Sequence, residues 1–197
     1  MAAFFVSSYL SSMTFNYKDY SILLTQEYND APLSKGNLKN YTRSYQSSPE
    51  YEASTIYGIS IFKDKKEIAN AVILESGGAT QLNPHSYLIK EDVLFITCSN
   101  QIYALQIPTL SLIWRLEPEF ATCFEIHDFK GDILIWGETS ISRITSDGTI
   151  KWGFSARDIF VTLDESPAFE IDGDQILLTD WQGFKYCLNA DGKEISL

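Results

Sequence analysis

Histidine and cysteine are scarce in this sequence, with two and three copies in 197 residues. Cys98, Cys123 and Cys187 are odd in number, widely spaced and embedded in apolar runs, and no pair has C-x-x-C spacing. Neither a disulfide framework nor a closed structural zinc site is expected, and no metal or cofactor is assigned. Small buried thiols in a reducing cytoplasm suit this placement better. Apolar runs such as VLFIT at 93 to 97 are only a few residues long. That excludes a membrane-crossing helix, which needs roughly 20. The opening MAAFFVSSYLSSM lacks a basic start and a small-residue cleavage site, so it is not read as a secretion signal. No GxGxxG, Walker loop, G-x-S-x-G or HExxH occurs. The motif-defined dinucleotide, phosphate, hydrolase and metalloprotease functions go with them.

What is present suits a single globular unit: 45% hydrophobic residues, 14% aromatic and 21% charged. Such a chain buries enough apolar surface to offset the entropy of folding. The net charge is −11 and unevenly placed. Residues 1 to 90 carry eight basic and eight acidic side chains, whereas residues 91 to 197 carry seven and eighteen. This field repels nucleic acid and favours a protein partner with a basic surface.

The second half of the chain repeats itself. FEIHDFKGDILI at 124 to 135 recurs as FEIDGDQILLTD at 169 to 180, and each copy is followed by a strand and an Asp-Gly turn, in ISRITSDGTIKW at 141 to 152 and GFKYCLNADGKEI at 183 to 195. A more degenerate copy runs from Tyr87 to Trp114. Trp114 and Trp152, 38 residues apart, close successive units. A period near 40 with about four short strands per unit is the signature of propeller-type blades. Strands are expected at 93 to 98, 132 to 137, 141 to 145, 149 to 154 and 175 to 180, with Asp-Gly pairs supplying the positive φ of tight turns.

The ending Asp147-Gly148-Thr149-Ile150-Lys151-Trp152 resembles that of quinoprotein-like (PQQ-type) β-propeller repeats, over about residues 87 to 197. The resemblance implies the fold. It does not imply the quinone, because the dehydrogenases of that family have eight blades and adjacent cysteines near the cofactor, and this chain has neither. The expectation is an all-β, propeller-like array of three to four four-stranded antiparallel units, incomplete or open. Its repeats span 87–120, 121–160 and 161–197. Residues 1–86 form a β-rich segment, a degenerate blade or cap, with strands at 20 to 28 and a hairpin over 54 to 75 turned at Lys63-Asp64-Lys65-Lys66.

One cluster invites a chemical reading. On a regular strand Cys123, Glu125 and His127 share a face, a thiol, a carboxylate and an imidazole that suit an activated nucleophile or metal ligands. Side chains two apart on a strand are about 7 Å apart, too far for a direct Cys-His hydrogen bond, and the second copy of the repeat lacks the histidine. A structural role is therefore expected, with no catalytic residue assigned. Arg157, Asp158, Asp164 and Glu165, in a connection between units, are candidate partner contacts. So are Tyr41, Arg43 and Tyr45, in the long polar stretch 29–54. Glu138 and Arg143 are expected to pair across their hairpin, and Trp136 and Trp181 to pack between blades.

The function expected is a non-catalytic protein-binding module with an acidic face, in concrete form a bacterial immunity-type inhibitor of a basic toxin. The alternatives are a small-ligand or metal-dependent enzyme or sensor at the Cys123/Glu125/His127 face, and a scaffold subunit that completes a propeller as a homo-oligomer.

Overall fold

The computed structural model describes residues 12–27, 39–163 and 166–196, and every regular element in them is a β-strand. Among the described residues no helix is long and apolar enough to cross a membrane. The strands form four sheets. The first contains β1 (Ser12–Tyr17), β2 (Tyr20–Glu27), β3 (Ser44–Gln46), β4 (Thr55–Lys63) and β5 (Lys66–Glu75), in the order β1-β2-β4-β5-β3. The second is β6 (Tyr87–Lys90), β7 (Val93–Cys98), β8 (Gln101–Gln106) and β9 (Ser111–Leu116). The third is β10 (Cys123–Phe129), β11 (Asp132–Gly137), β12 (Ser140–Ile144) and β13 (Ile150–Ser155). The fourth is β14 (Phe169–Asp172), β15 (Gln175–Thr179), β16 (Lys185–Leu188) and β17 (Glu194–Ile195). In the last three sheets the strands lie side by side in chain order, all antiparallel.

The expected strands lie where the repeat puts them, within a residue at each end. The N-terminal segment makes a sheet of its own, and part of its long polar stretch is neither loop nor cap. Residues 44 to 46 return as an edge strand that pairs parallel to β5, with Tyr45 opposite Ile73.

Three buried clusters hold four sheets together. Ile22, Leu24, Ile59 and Ile73 of the first sheet meet Leu94, Ile96, Tyr103 and Leu105 of the second. Phe95, Ile102 and Ala104 on the other face of the second meet Ile126, Ile133 and Ile135 of the third. Leu134 and Ile141 of the third meet Ile176, Leu178 and Leu188 of the fourth, with Phe160 between them. Strand alternation explains this: each middle sheet sends odd and even positions to different neighbours and is apolar on both faces. No such cluster joins the fourth sheet to the first among the described residues, so the array is open.

The tryptophans that close each unit reach forward. Trp114 donates its indole N–H to the carbonyl of Ser146 at 2.9 Å, just before Asp147-Gly148, and Trp152 donates to Ala190 at 3.0 Å, just before Asp191-Gly192. Each ring lies over the glycine: a Cβ at Gly148 would come 2.9 Å from Trp114, and one at Gly192 would collide with Trp152. Both glycines have positive φ, so the turn and the close approach require the same residue type. In the first sheet Tyr45 takes this place, donating its hydroxyl to the Leu110 carbonyl in the β8–β9 turn at 2.7 Å.

Candidate functional site

The first strands β6, β10 and β14 form one edge of their sheets, and the one cluster of titratable groups with metal-ligand chemistry among the described residues lies along it. A β-bulge interrupts β10. Cys123 pairs with Gly137 but Glu125 already pairs with Trp136, so Phe124 and Glu125 together oppose one partner residue. The bulge turns Cys123 onto the face of Ile126, inside the cluster shared with the second sheet. Glu125 and His127 remain on the opposite face, where His127 lies 5.1 Å from the Phe169 ring. The expected shared face of Cys123, Glu125 and His127 is therefore corrected: an extra residue breaks the alternation. Burial pushes the Cys123 thiol well above its ordinary value, and nearby Glu119 and Glu117 add to the effect. Such a thiol is a poor nucleophile.

In place of Cys123 the structure brings in His85. Residues 83 to 86 form a tight turn, with Ser86 N–H donating to the Asn83 carbonyl at 3.0 Å and His85 N–H to Asn83 Oδ1 at 2.7 Å. Ile126 N–H donates to the His85 carbonyl at 2.8 Å, which fastens this turn to the free edge of β10. The His85 and His127 rings stack with centroids 4.8 Å apart. His127 Nε2 lies 2.8 Å from Glu125 Oε2, and the ligand atoms of all three residues fall within 4.8 Å of one another. An aromatic wall backs the group: Phe169 stacks on Trp136 at 5.1 Å, and Phe124 meets Trp136 edge-on at 5.1 Å. The Trp136 indole N–H is buried with no acceptor. His85 was invisible to strand periodicity because it comes from another unit, 40 residues upstream of Glu125; only its rarity in the chain marks it.

The other candidates divide between internal clips and open surface. Tyr41 donates its hydroxyl to Glu27 and covers Gly58, and burial followed by Glu27 raises its pKa. Arg43 Nε donates to the Thr109 carbonyl at 2.9 Å, next to the Tyr45 contact with Leu110, so both side chains tie the first sheet to the second. Arg157 is exposed and packs its guanidinium 4.6 Å from the Phe184 ring. Asp158 accepts from Gln182 Nε2 at 3.1 Å. Asp164 and Glu165 lie outside the described residues. Arg143 does not pair with Glu138: its Nη2 lies 2.6 Å from Asp132 Oδ2. Glu138 sits at the β11–β12 turn whereas Arg143 stands opposite Leu134, several residues down the hairpin. Trp136 packs between sheets as expected, but Trp181 is exposed.

Antiparallel meanders put the connections between sheets, and the turns after β7, β11 and β15, on one rim. Backbone bonds lace it: Gly78 to Ala121 at 3.0 Å, Cys123 to Ser99 at 2.7 Å, Phe160 to Glu138 at 2.7 Å and Trp181 to Ile159 at 2.8 Å. Buried carboxylates reinforce it. Glu75 accepts from Tyr103 and Ser47, Glu119 from Thr139 at 2.7 Å and Ser140 at 2.5 Å, and Asp180 from Tyr186 at 2.7 Å. These carboxylates carry no feature in the sequence that separates them from surface acids. The same rim bears Phe120, Leu163 and Tyr51, exposed by 85%, 73% and 64%, together with Trp181 and Phe184.

Neither a protein-family model nor a curated protein matches this chain. Its fold is shared. The AfRom2 CNH domain, a β-propeller-like structure, superposes with a TM-score of 0.52 and 9% identity over 97% of this chain. The chain spans 55% of that structure's length. At this identity the likeness is one of fold alone.

Proposed function

We propose that this protein is a non-catalytic binding module whose partner is another protein, held on the rim that carries the connections between sheets. One observation carries the reading: Phe120, Leu163 and Tyr51 are large apolar side chains left exposed by 85%, 73% and 64% on the same rim. Isolated exposed apolar residues are ordinary, but several on one rim, bordered by polar groups, suit the anchor-and-border arrangement of protein interfaces. Glu50, Glu52, Glu117, Glu138 and Asp158 border them with Arg157 as an exposed cation among them, whereas Lys18, Lys63, Lys65, Lys66, Lys130 and Lys193 belong to the opposite hairpin turns, interspersed with Asp19, Asp64, Asp92 and Asp191. A partner with a basic surface fits that border. An inhibitor of a basic toxin, of the kind bacterial immunity proteins provide, is one form of such a module. In this reading the ending that resembles quinoprotein repeats serves packing, through Trp114 and Trp152. Affinity capture from the native cell, followed by binding with purified partner, is the test. Phe120→Asp with Leu163→Asp should abolish binding while leaving the melting temperature unchanged; undiminished binding would move the interface elsewhere.

A second reading follows from the open array. Among the described residues the fourth sheet packs by one face, and its other face carries the row Leu177, Cys187 and Ile195. A second copy seated there would extend the ring. Mass measurement in solution separates this from a monomer.

A further inference from the structure

We propose that His85, Glu125 and His127 form a binding site for a divalent first-row transition-metal ion, with zinc as the ion to be tested. The inference goes beyond the protein-binding role and does not depend on it. Two imidazole nitrogens and one carboxylate oxygen are the donor types that zinc and its neighbours select, and three protein ligands leave a position for water or a further ligand.

Three features of the geometry support the assignment. First, the ligand atoms already lie within 4.8 Å of one another. Around a tetrahedral ion with bonds of about 2.0 to 2.2 Å, donors are separated by roughly 3.4 Å, so the adjustment required is small. Second, that adjustment falls on a side chain able to make it. Glu125 and His127 are held together at 2.8 Å on β10, whereas the exposed His85 ring can rotate while its backbone stays fastened by Ile126 N–H. Third, the carboxylate is available. The side chains of His127 and Glu125 are only 18% and 26% exposed, and among the described residues Glu125 has no lysine or arginine partner. By contrast, Asp132 is paired with Arg143 and Lys151, and Glu67 with Lys39. The aromatic wall of Phe169, Trp136 and Phe124 lines one side of the group and limits water there, which strengthens a charged contact.

The bulge at Phe124 makes the site. On a regular strand Cys123 would share a face with Glu125 and His127; the extra residue turns the thiol into the second-sheet cluster and leaves the carboxylate and the imidazole on the face of Phe169. Bulges re-aim side chains in this way next to functional sites.

The test is a Co²⁺ titration of the full chain, stripped beforehand with chelator, read by visible absorption, with Zn²⁺ as competitor. One Co²⁺ per chain is expected, displaced by Zn²⁺, with ligand-field bands of a site of low coordination number. His85→Ala and His127→Ala should each weaken binding at least tenfold, Glu125→Gln should weaken it less, and Cys123→Ser should leave it unchanged. His85→Ala removes an exposed ring and keeps the backbone contact, so its fold is retained and far-ultraviolet dichroism verifies this. Zn²⁺ should also raise the melting temperature of the wild type and not of either histidine variant, because an ion that binds only the folded chain stabilises it by mass action. Absence of saturable binding overturns the proposal. So does binding that persists in either histidine variant, or that disappears in Cys123→Ser.

Discussion

Trp152 and Gly192 act as one unit. The indole spans the gap between the third and fourth sheets, donates to Ala190 and leaves no room for a Cβ at Gly192, whose φ of 73° already disfavours side chains. Trp152→Ala should destabilise the protein by about 2 to 4 kcal/mol, below the range for a wholly buried tryptophan because the ring is only partly buried. Gly192→Ala should cost more than about 1 kcal/mol from backbone strain and collision together. The losses should not add: denaturant unfolding of the double variant is expected to fall short of their sum, because removing the ring relieves the collision. The thiols make a second expectation at this scale. Cys98, Cys123 and Cys187 are free and buried, and burial raises the first two well above the ordinary thiol range. Their reaction with a thiol reagent should follow unfolding, and rapid labelling of the native protein would contradict the packing described for them.

One charge network spans three strands of the third sheet. Asp132 at the start of β11 receives Arg143 Nε of β12 at 2.7 Å and Lys151 Nζ of β13 at 2.6 Å, and Arg143 Nη1 continues to the Ala190 carbonyl of the fourth sheet at 2.8 Å. Burial alone would raise the Asp132 pKa, but the hydrogen bonds from Lys151 and Arg143 outweigh it and hold the value below the ordinary 3.8. The ionised form is thus favoured by folding. Its stabilisation is fully present above the unfolded value and is lost as pH falls through the lower folded one. Asp132→Asn should therefore be less stable than wild type at neutral pH, and the difference should shrink in acid below about pH 4. A difference that is flat with pH would mean the network contributes through packing. Arg143 shows what a hairpin pattern leaves open. Strand positions are readable, but which acid a long side chain reaches depends on register and on the next sheet.

For the whole molecule, four sheets joined by three clusters imply a gradient of stability. Among the described residues the second and third sheets are packed on both faces and the fourth on one. In stacked arrays each unit leans on its neighbours, so end units open first. Amide exchange should be fastest in β14 to β17 and slowest in β7, β8 and β11. Uniform protection in a monomer would contradict the open arrangement. The charge on the connection rim leads to a kinetic expectation. If a basic partner docks there, association should slow markedly as salt rises to physiological levels, where screening acts within about 8 Å. Glu117→Gln, Glu138→Gln and Asp158→Asn together should lower the association rate while changing stability by no more than about 0.5 kcal/mol per site.

The amino-acid sequence by itself determined the strands, the Asp-Gly turns, the repeat near 40 residues and hence the propeller-like class, because alternation and turn conformation act over a few residues and leave a local trace. Tertiary structure decided the rest. Whether Cys123 faces Glu125 depended on one bulged residue, which moves a side chain to the opposite face while the apolar pattern around it stays intact. His85 joined His127 through a backbone bond between units. Tyr45, which composition marks as a contact residue, was taken up by Leu110 of the next sheet. Contacts between units are set by how whole sheets stack, and no local period records which side chains that stacking brings together.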